Sequence, residues 1–326
     1  MSTLQLPGRK SLMLFSGRAY PALAAEIAEH IGVTVTETTA REFANGETFI
    51  KSNESVRGSD AFVIQSFTTP INQWMMESLI LVDSLKRASA KRITVVAPFY
   101  PYARQDKKHK GREPISARLV ADLFKTAGAD RVMAVDLHTA QIQGFFDGPV
   151  DHLFALPLLT KYVKAKYGDE DLVIVSPDTG RVRVAEQWAD ELGGLDIAFV
   201  HKTRNLDAAN QVVANRVVGE VEGRCCLLID DMIDTGGSIS KAADLLYANG
   251  ATDVVVAATH GIFSPPATDL LKNSRVREVV VTNTLPISPD KAFDKLTVLS
   301  IAPLLAQAIK AVFEDGSVTS LFDGRS

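Results

Sequence analysis

Cysteine is nearly absent from this chain of 326 residues: there are two, Cys225 and Cys226, side by side. Neighbours on a strand point to opposite faces, so they are poor disulfide partners. A disulfide-stapled scaffold is thereby excluded, and two buried thiols in reducing cytosol are the expectation. Long apolar runs are missing too, none approaching the ~18 residues that span a bilayer. The opening MSTLQLPGRK lacks the apolar core of a secretory leader. No membrane association and a cytoplasmic location are therefore expected. Basic excess is also lacking. Lys and Arg number 35 against 39 Asp and Glu, a net charge of −4, which speaks against a nucleic-acid partner needing a basic face. There is no fixed short repeat and no low-complexity tract. What is present is 46% hydrophobic residues, ample for a sizeable core, and length for about two domains at ~150 residues each.

Short β-rich runs alternate with helical segments. The first series is SLMLF (11–15), AFVIQS (61–66), RITVVAPF (92–99) and RVMAV (131–135). The second is DLVIVS (171–176), IAFV (197–200), CCLLI (225–229), DVVVAAT (253–259) and EVVVT (278–282). Continuous Val, Ile and Leu runs suit parallel strands covered on both faces. Pro21 opens one predicted helix, carried by Leu23, Ile27 and Ile31 and closed by Gly32. Helical spacing recurs at Met75, Leu79 and Val82, at Ile115, Leu119 and Leu123, and at Ile239, Ala243 and Leu246. The pattern predicts an α/β protein of βαβ units with mostly parallel sheets. GPVDHLFALP (148–157) is the expected junction between the two series.

The segment CCLLIDDMIDTGGSIS (225–240) runs from a buried strand into two adjacent acids, a third acid and a glycine turn before a helix. Ligands of open α/β sheets bind beyond the carboxyl ends of strands. The N–H groups of Thr235, Gly236, Gly237 and Ser238 lack intrahelical partners and face the positive end of the helix dipole, an anion site without a basic side chain. Asp230 and Asp231 suit sugar hydroxyls, or Mg²⁺ through water. A sugar phosphate satisfies both halves. DTGG alone would read as an ordinary βα loop capped by Asp234; the whole succession favours the ligand site.

This motif resembles the ribose-phosphate loop shared by phosphoribosyltransferases and ribose-phosphate pyrophosphokinases. Five further segments stand in the order seen in class I ribose-phosphate pyrophosphokinases: REFANGETFIK (41–51), FYPYARQDKK (99–108), MAVDLHTAQIQGFFDGPVDHL (133–153), VIVSPDTG (173–180) and FVHKTR (199–204). The resemblance runs from about Ser11 to SVTSLF (317–322).

It implies two phosphoribosyltransferase-like α/β domains, residues 8–152 and 153–314, each a mainly parallel sheet flanked by helices, with the tail 315–326 returning to the first. It implies transfer of the pyrophosphoryl group of ATP to ribose 5-phosphate, with Mg²⁺ as cofactor, in a homohexamer. The alternatives are a phosphoribosyltransferase and a catalytically silent regulatory subunit. Phe43, Asn45, Gly46 and Glu47, with Arg104 and Gln105, are the implied ATP residues. Asn45-Gly46 is also a hairpin signal, and the family's loop is such a turn, reaching a neighbouring subunit's site. His138 and Asp178 are the implied magnesium residues, although the cation prefers oxygen donors. Asp230, Asp231, Asp234 and the 235–238 turn are implied to hold ribose 5-phosphate. Lys202 and Arg204, read as loop residues after a strand and before a lid-like polar stretch (205–213), are implied to be catalytic, Arg204 also touching the sugar phosphate. Ser55, Arg57, Ser317 and Thr319 match parts of the family's allosteric site. Two departures stand out: Asn205, Leu206 and Asp207 replace further basic residues, and Arg181 stands where relatives commonly keep a smaller one.

Overall fold

The computed structural model describes residues 11–108, 110–203 and 214–322, with only the main chain at 202, 203, 214 and 215. The chain forms two compact units, one of residues 1–153 and 302–326, the other of 154–301. Among the described residues no helix is long and apolar enough to cross a membrane.

The first unit is built on β1 (Leu12–Ser16), α1 (Pro21–Ile31), β2 (Thr38–Glu42), β3 (Thr48–Ser52), β4 (Asp60–Ile64), α2 (Ile71–Arg87), β5 (Arg92–Ala97), α3 (Ser116–Ala127), β6 (Arg131–Val135) and β7 (Val150–Leu153). Its parallel sheet has the order β1-β4-β5-β6-β7. Val35 bridges to Leu14 in parallel, so the chain visits one side of β1 and then returns to pair β4 on the other. β2 and β3 form a separate antiparallel hairpin. Pro21 opens α1 and Gly32, at φ 84°, closes it, as the sequence predicts.

Two expectations change. Leu119 and Leu123 are exposed and Ile115 precedes α3. The buried stripe is Ala117, Val120, Ala121 and Phe124, which keeps i, i+3, i+4, i+7 spacing with smaller residues and sets Phe124 against Phe67. On α2, Met75 and Val82 are buried with Ser78, Leu81 and Leu85, while Leu79 is only half-buried.

The second unit comprises α4 (Leu156–Tyr167), β8 (Leu172–Ser176), α5 (Val182–Glu191), β9 (Ile197–Thr203), β10 (Ala214–Val218), β11 (Cys225–Ile233), α6 (Gly237–Ala248), β12 (Asp253–Gly261), α7 (Ala267–Asn273), β13 (Glu278–Thr282) and β14 (Leu296–Leu299). Its sheet has the order β10-β9-β8-β11-β12-β13-β14, parallel except for β10. Val173, Val175, Cys226, Leu228, Val254 and Val256 share one core with Ile239, Ala243 and Leu246 of α6. Both cysteines are buried and free, and burial pushes each thiol up to about 12.

α8 (Ala302–Phe313) belongs with the first unit, where it packs on α1. The return therefore begins at 302 rather than 315, because α8 carries an apolar face of Leu305, Ala306, Ile309 and Val312 that α1 covers. Arg92, paired with Asp60 of the neighbouring strand, also reaches Asp315 at 2.8 Å, and Phe322 is buried.

A polar knot stabilises the second unit at the amino end of β13. Glu278, 5% exposed, accepts hydrogen bonds from Tyr162 (2.7 Å), Lys166 (2.8 Å), Tyr167 and Thr297. Burial alone would push its carboxyl up, but these donors outweigh it and hold it down at about 2. A depressed carboxylate contributes stability above its unfolded value, and that stability is lost as pH falls through the folded one. Glu278→Gln is expected to cost about 3 kcal/mol at neutral pH, since it leaves donors and a cation without their anion. It should also flatten the loss of stability between about pH 4.5 and 2. Chemical denaturation across pH checks both; a wild-type-like slope in the variant rules the assignment out.

Candidate functional site

In the second sheet the chain steps from β8 to β9 on one side and later places β11 on the other. The strand order thus reverses between β8 and β11, and a crevice at their carboxyl ends is where open α/β sheets take ligands. The turn after β8 carries Asp178, and the end of β11 carries Asp230, Asp231 and the glycine turn. β11 runs on to Ile233, so the two acids lie within the last residues of the strand rather than beyond it, and the ladder to β12 continues through Asp230.

Asp231 is 8% exposed. Its N–H donates to Asp230 Oδ1 at 2.9 Å. Burial and the adjacent Asp231 carboxyl push Asp230 well above the usual carboxylate range, opposed by Arg181 and the backbone hydrogen bond. The Arg181 guanidinium sits over both acids, with Nη2 2.5 Å from Asp231 Oδ2 and Nε 3.7 Å from Asp230 Oδ1. Unit charges ~4 Å apart interact by ~4 kcal/mol at an effective dielectric near 20, so this cation offsets part of the repulsion between the two carboxyls. Sequence reasoning noted Arg181 as unusual but gave it no partner; an odd cation beside a turn that faces paired acids was the available signal.

Past Asp234, Gly236 takes φ 74°, the left-handed region that glycine enters without strain. α6 starts at Gly237 with no side-chain cap on its first turn, leaving its N–H groups directed outward. Thr235 and Ser238 are exposed beside them. A Cβ at Gly236 would lie 3.3 Å from Ala267 Cα, whereas one at Gly237 meets nothing within 4 Å. Gly237, not Gly236, therefore separates ligand from fold. Gly237→Val should keep the melting temperature and weaken a phosphate held on this turn by roughly tenfold or more, the worth of a charged hydrogen bond. Calorimetry with ribose 5-phosphate measures it, and unchanged affinity would place the phosphate elsewhere.

Asp178 caps the turn after β8, its Oδ1 accepting from Gly180 N–H at 2.8 Å. Lys202 lies inside β9, opposite Asn215 of β10, not in a loop after a strand. The strand extends three residues past Val200 because it pairs with β10, so the connection that follows is a ββ hairpin and not a βα loop. Arg204 and the lid-like stretch 205–213 lie outside the described residues.

In the first unit, Phe43, Asn45, Gly46 and Glu47 form the tip of the β2–β3 hairpin. Gly46 N–H donates to Phe43 O, Phe43 N–H donates to Glu47 O, and Gly46 has φ 88°, the three-residue loop with a left-handed third position. Phe43 is 46% exposed, edge-on to Phe49 with Arg41 over both rings. Phe43, Asn45, Gly46 and Glu47 line an open depression of about 790 Å³ with Gln73, Met76 and Ile80 of α2. Arg104 and Gln105 are exposed after β5. Asp106, 4% exposed, accepts from Thr139 Oγ1 (2.6 Å) and Gln141 Nε2 (2.7 Å). It thereby ties the Arg104 and Gln105 loop to the half-buried turn of His138 after β6. That turn is also held by Leu137 N–H donating to His152 Nε2 at 2.9 Å. Sequence reasoning missed Asp106 and His152, whose positioning work depends on partners far along the chain. Ser55 and Arg57 are exposed after β3, and Ser317 and Thr319 share a hydrogen bond of 2.9 Å in the same unit.

The first unit's own strand-order reversal, between β1 and β4, is filled by its side chains. Glu77, fully buried, accepts from Arg18 N–H at 2.7 Å and from Arg18 Nε at 2.5 Å. The Gln65 side chain lies where a Cβ on Gly17 would stand. The glycine turn and paired acids belong to the second unit only.

Among the described residues no group of three or more His, Cys, Asp or Glu side chains could hold a metal by itself. A carboxylate such as Asp178, with one oxygen already bonded, fits a hard cation that keeps waters and shares its ligands with substrate phosphates; it does not fit a closed protein cage.

Comparison with known proteins gives a family and a fold. Residues 12–128 match the family described as the N-terminal domain of ribose phosphate pyrophosphokinase, and 202–323 match the phosphoribosyl synthetase-associated domain. The chain is 66% identical to a ribose-phosphate pyrophosphokinase of Mycobacterium leprae over 98% of its length and 97% of the relative's. It is 64% identical to that of Streptomyces coelicolor over 99% of both. The crystal structure of phosphoribosylpyrophosphate synthetase from Mycobacterium smegmatis superposes with a TM-score of 0.90 at 65% identity, covering 94% of this chain and all of that one.

Proposed function

The chain belongs to the ribose-phosphate pyrophosphokinase family, and from that premise we propose that it transfers the β,γ-pyrophosphoryl group of ATP to the 1-hydroxyl of ribose 5-phosphate. The anomeric oxygen attacks the β-phosphorus, the bond to the α-phosphate oxygen breaks, and AMP leaves as 5-phosphoribosyl 1-pyrophosphate forms. The observation that carries this reading is the β8–β11 crevice: paired acids for sugar hydroxyls beside an uncapped helix start for a phosphate. Relatives of the same name matching through both units favour it over a phosphoribosyltransferase, which has no use for the ATP segments.

Phosphoryl-type transfer leaves a protein positioning and charge neutralisation to perform. Asp230 and Asp231 accept from the ribose hydroxyls, and residues 234–238 cradle the 5-phosphate. Arg104 and Gln105 bind ATP, with the Phe43–Glu47 tip stacking on adenine. A homohexamer, in which a second copy completes the site, is part of the same proposal. The resemblance implies Asp178 and His138 as magnesium residues, each described within its own unit, and Mg²⁺ would supply neutralisation of phosphate charge. Lys202 and Arg204 bring positive charge to the β-phosphate. Ser55, Arg57, Ser317 and Thr319 contribute to an anion-responsive regulatory site, and the place of action is the cytoplasm. The deciding experiment is AMP release from ATP in the presence and absence of ribose 5-phosphate. Release independent of the sugar overturns the proposal.

A further inference from the structure

Arg181 closes the first turn after β8, a turn shaped by the Asp178 cap on Gly180 N–H. Because β8 and β11 are adjacent and parallel, that turn delivers a side chain to the end of β11. The guanidinium is 16% exposed and the acid side chains it meets are 20% and 6% exposed, so all three are largely withdrawn from water. Contact is unequal: Nη2 is committed to Asp231 at 2.5 Å, while Nε stands 3.7 Å from Asp230, beyond hydrogen-bond distance. Asp231 is thus clamped, and Asp230 feels the cation without being bonded to it.

We propose that Arg181 is a positioning residue for the sugar phosphate, holding Asp231 in orientation and cancelling one charge of the acid pair so that Asp230 can meet the sugar hydroxyls of a doubly anionic ligand. The inference rests on the proposed function, since it assigns Arg181 to the sugar side of that site. Without a cation, two adjacent buried acids would repel one another and the incoming phosphate. A planar fork reaches two acids at once, whereas the point charge of lysine serves one.

The test compares wild type, Arg181→Gln and Arg181→Lys. KM for ribose 5-phosphate and for ATP are measured by AMP release, and ribose 5-phosphate affinity by calorimetry. Arg181→Gln is expected to raise KM for ribose 5-phosphate about tenfold or more, the scale of one charge-assisted bond, with KM for ATP nearly unchanged. Arg181→Lys should fall between. Should the uncharged variant fail to fold, Arg181→Lys decides, since it keeps the cation: a selective rise for the sugar supports the proposal, and unchanged constants overturn it. An equal rise for both substrates, or tighter sugar binding in either variant, overturns it as well. Wild type that binds no ribose 5-phosphate overturns the proposed function and this inference together. Wild type that binds it, beside an Arg181→Gln variant that binds it equally well, overturns the inference alone.

Discussion

Lys202→Ala is expected to lose at least ~10²-fold in turnover, on the scale of single preorganised electrostatic stabilisers, while affinities for ATP and ribose 5-phosphate change far less. The expectation rests on where charge develops. As the pyrophosphoryl group passes between oxygens, negative charge grows on the groups around the β-phosphorus, and a cation brought there acts mainly in the transition state. Lys202 lies on β9 one residue before its end, opposite Asn215, so its backbone is anchored by a ladder. Single-turnover kinetics beside equilibrium binding separate the two roles. Near-normal turnover with weakened binding would make Lys202 a ground-state clamp.

Asp230→Asn should weaken ribose 5-phosphate about ten- to hundredfold, because a charged acceptor is worth roughly 1.5–3 kcal/mol, and leave ATP nearly unaffected. The same change should stabilise the fold. Burial and Asp231 raise the Asp230 carboxyl well above its ordinary range. A carboxyl so raised favours the folded state when protonated, and that contribution is lost as pH rises through the folded value. With the folded value at about 8, the folded chain must keep a proton that the unfolded chain releases above about pH 4, so the acid costs stability from there upward, a cost the site tolerates for its ligand. Asparagine keeps the acceptor for Asp231 N–H and removes the charge, leaving Arg181 and Asp231 as a one-to-one pair. A rise of a few degrees in melting temperature is expected, at ~2–4 °C per kcal/mol for a unit of this size, growing between about pH 4 and pH 8 and level above that. A lower melting temperature would show that the acid pair stabilises the free protein. A selective effect on the Michaelis constant for ATP would remove Asp230 from the sugar site.

Much of the site was legible because its signals are local. A strand of Cys, Leu and Ile, two acids, Thr-Gly-Gly-Ser and the start of a helix follow one another within sixteen residues, and each step constrains the next through backbone geometry. The hairpin tip at Asn45-Gly46 was readable for the same reason: a left-handed residue is required, and glycine supplies it. Strands such as Arg131–Val135 and Glu278–Thr282 coincide with their apolar runs, since burial on both faces selects apolar residues along the middle of the strand.

Other features were decided only when distant segments met. β10 and β14 have no continuous apolar run; they are strands because β9 and β13 offer them an open edge. The same pairing carries β9 past Val200 and makes Lys202 a strand residue. Leu119 and Leu123 have helical spacing as good as that of Val120 and Phe124, and only the position of the sheet selects which stripe is buried. α8 joins the first unit because α1 presents a matching apolar face, which nothing in the sequence around 302 announces. The reversal of strand order between β8 and β11 sets Arg181 against Asp230 and Asp231. The residues of this chain thus determined its candidate ligand chemistry through short-range backbone and side-chain preferences. Which charges balance one another was determined by strand order, because electrostatic pairing depends on distance in space, and only the folded sheet brings those groups within reach.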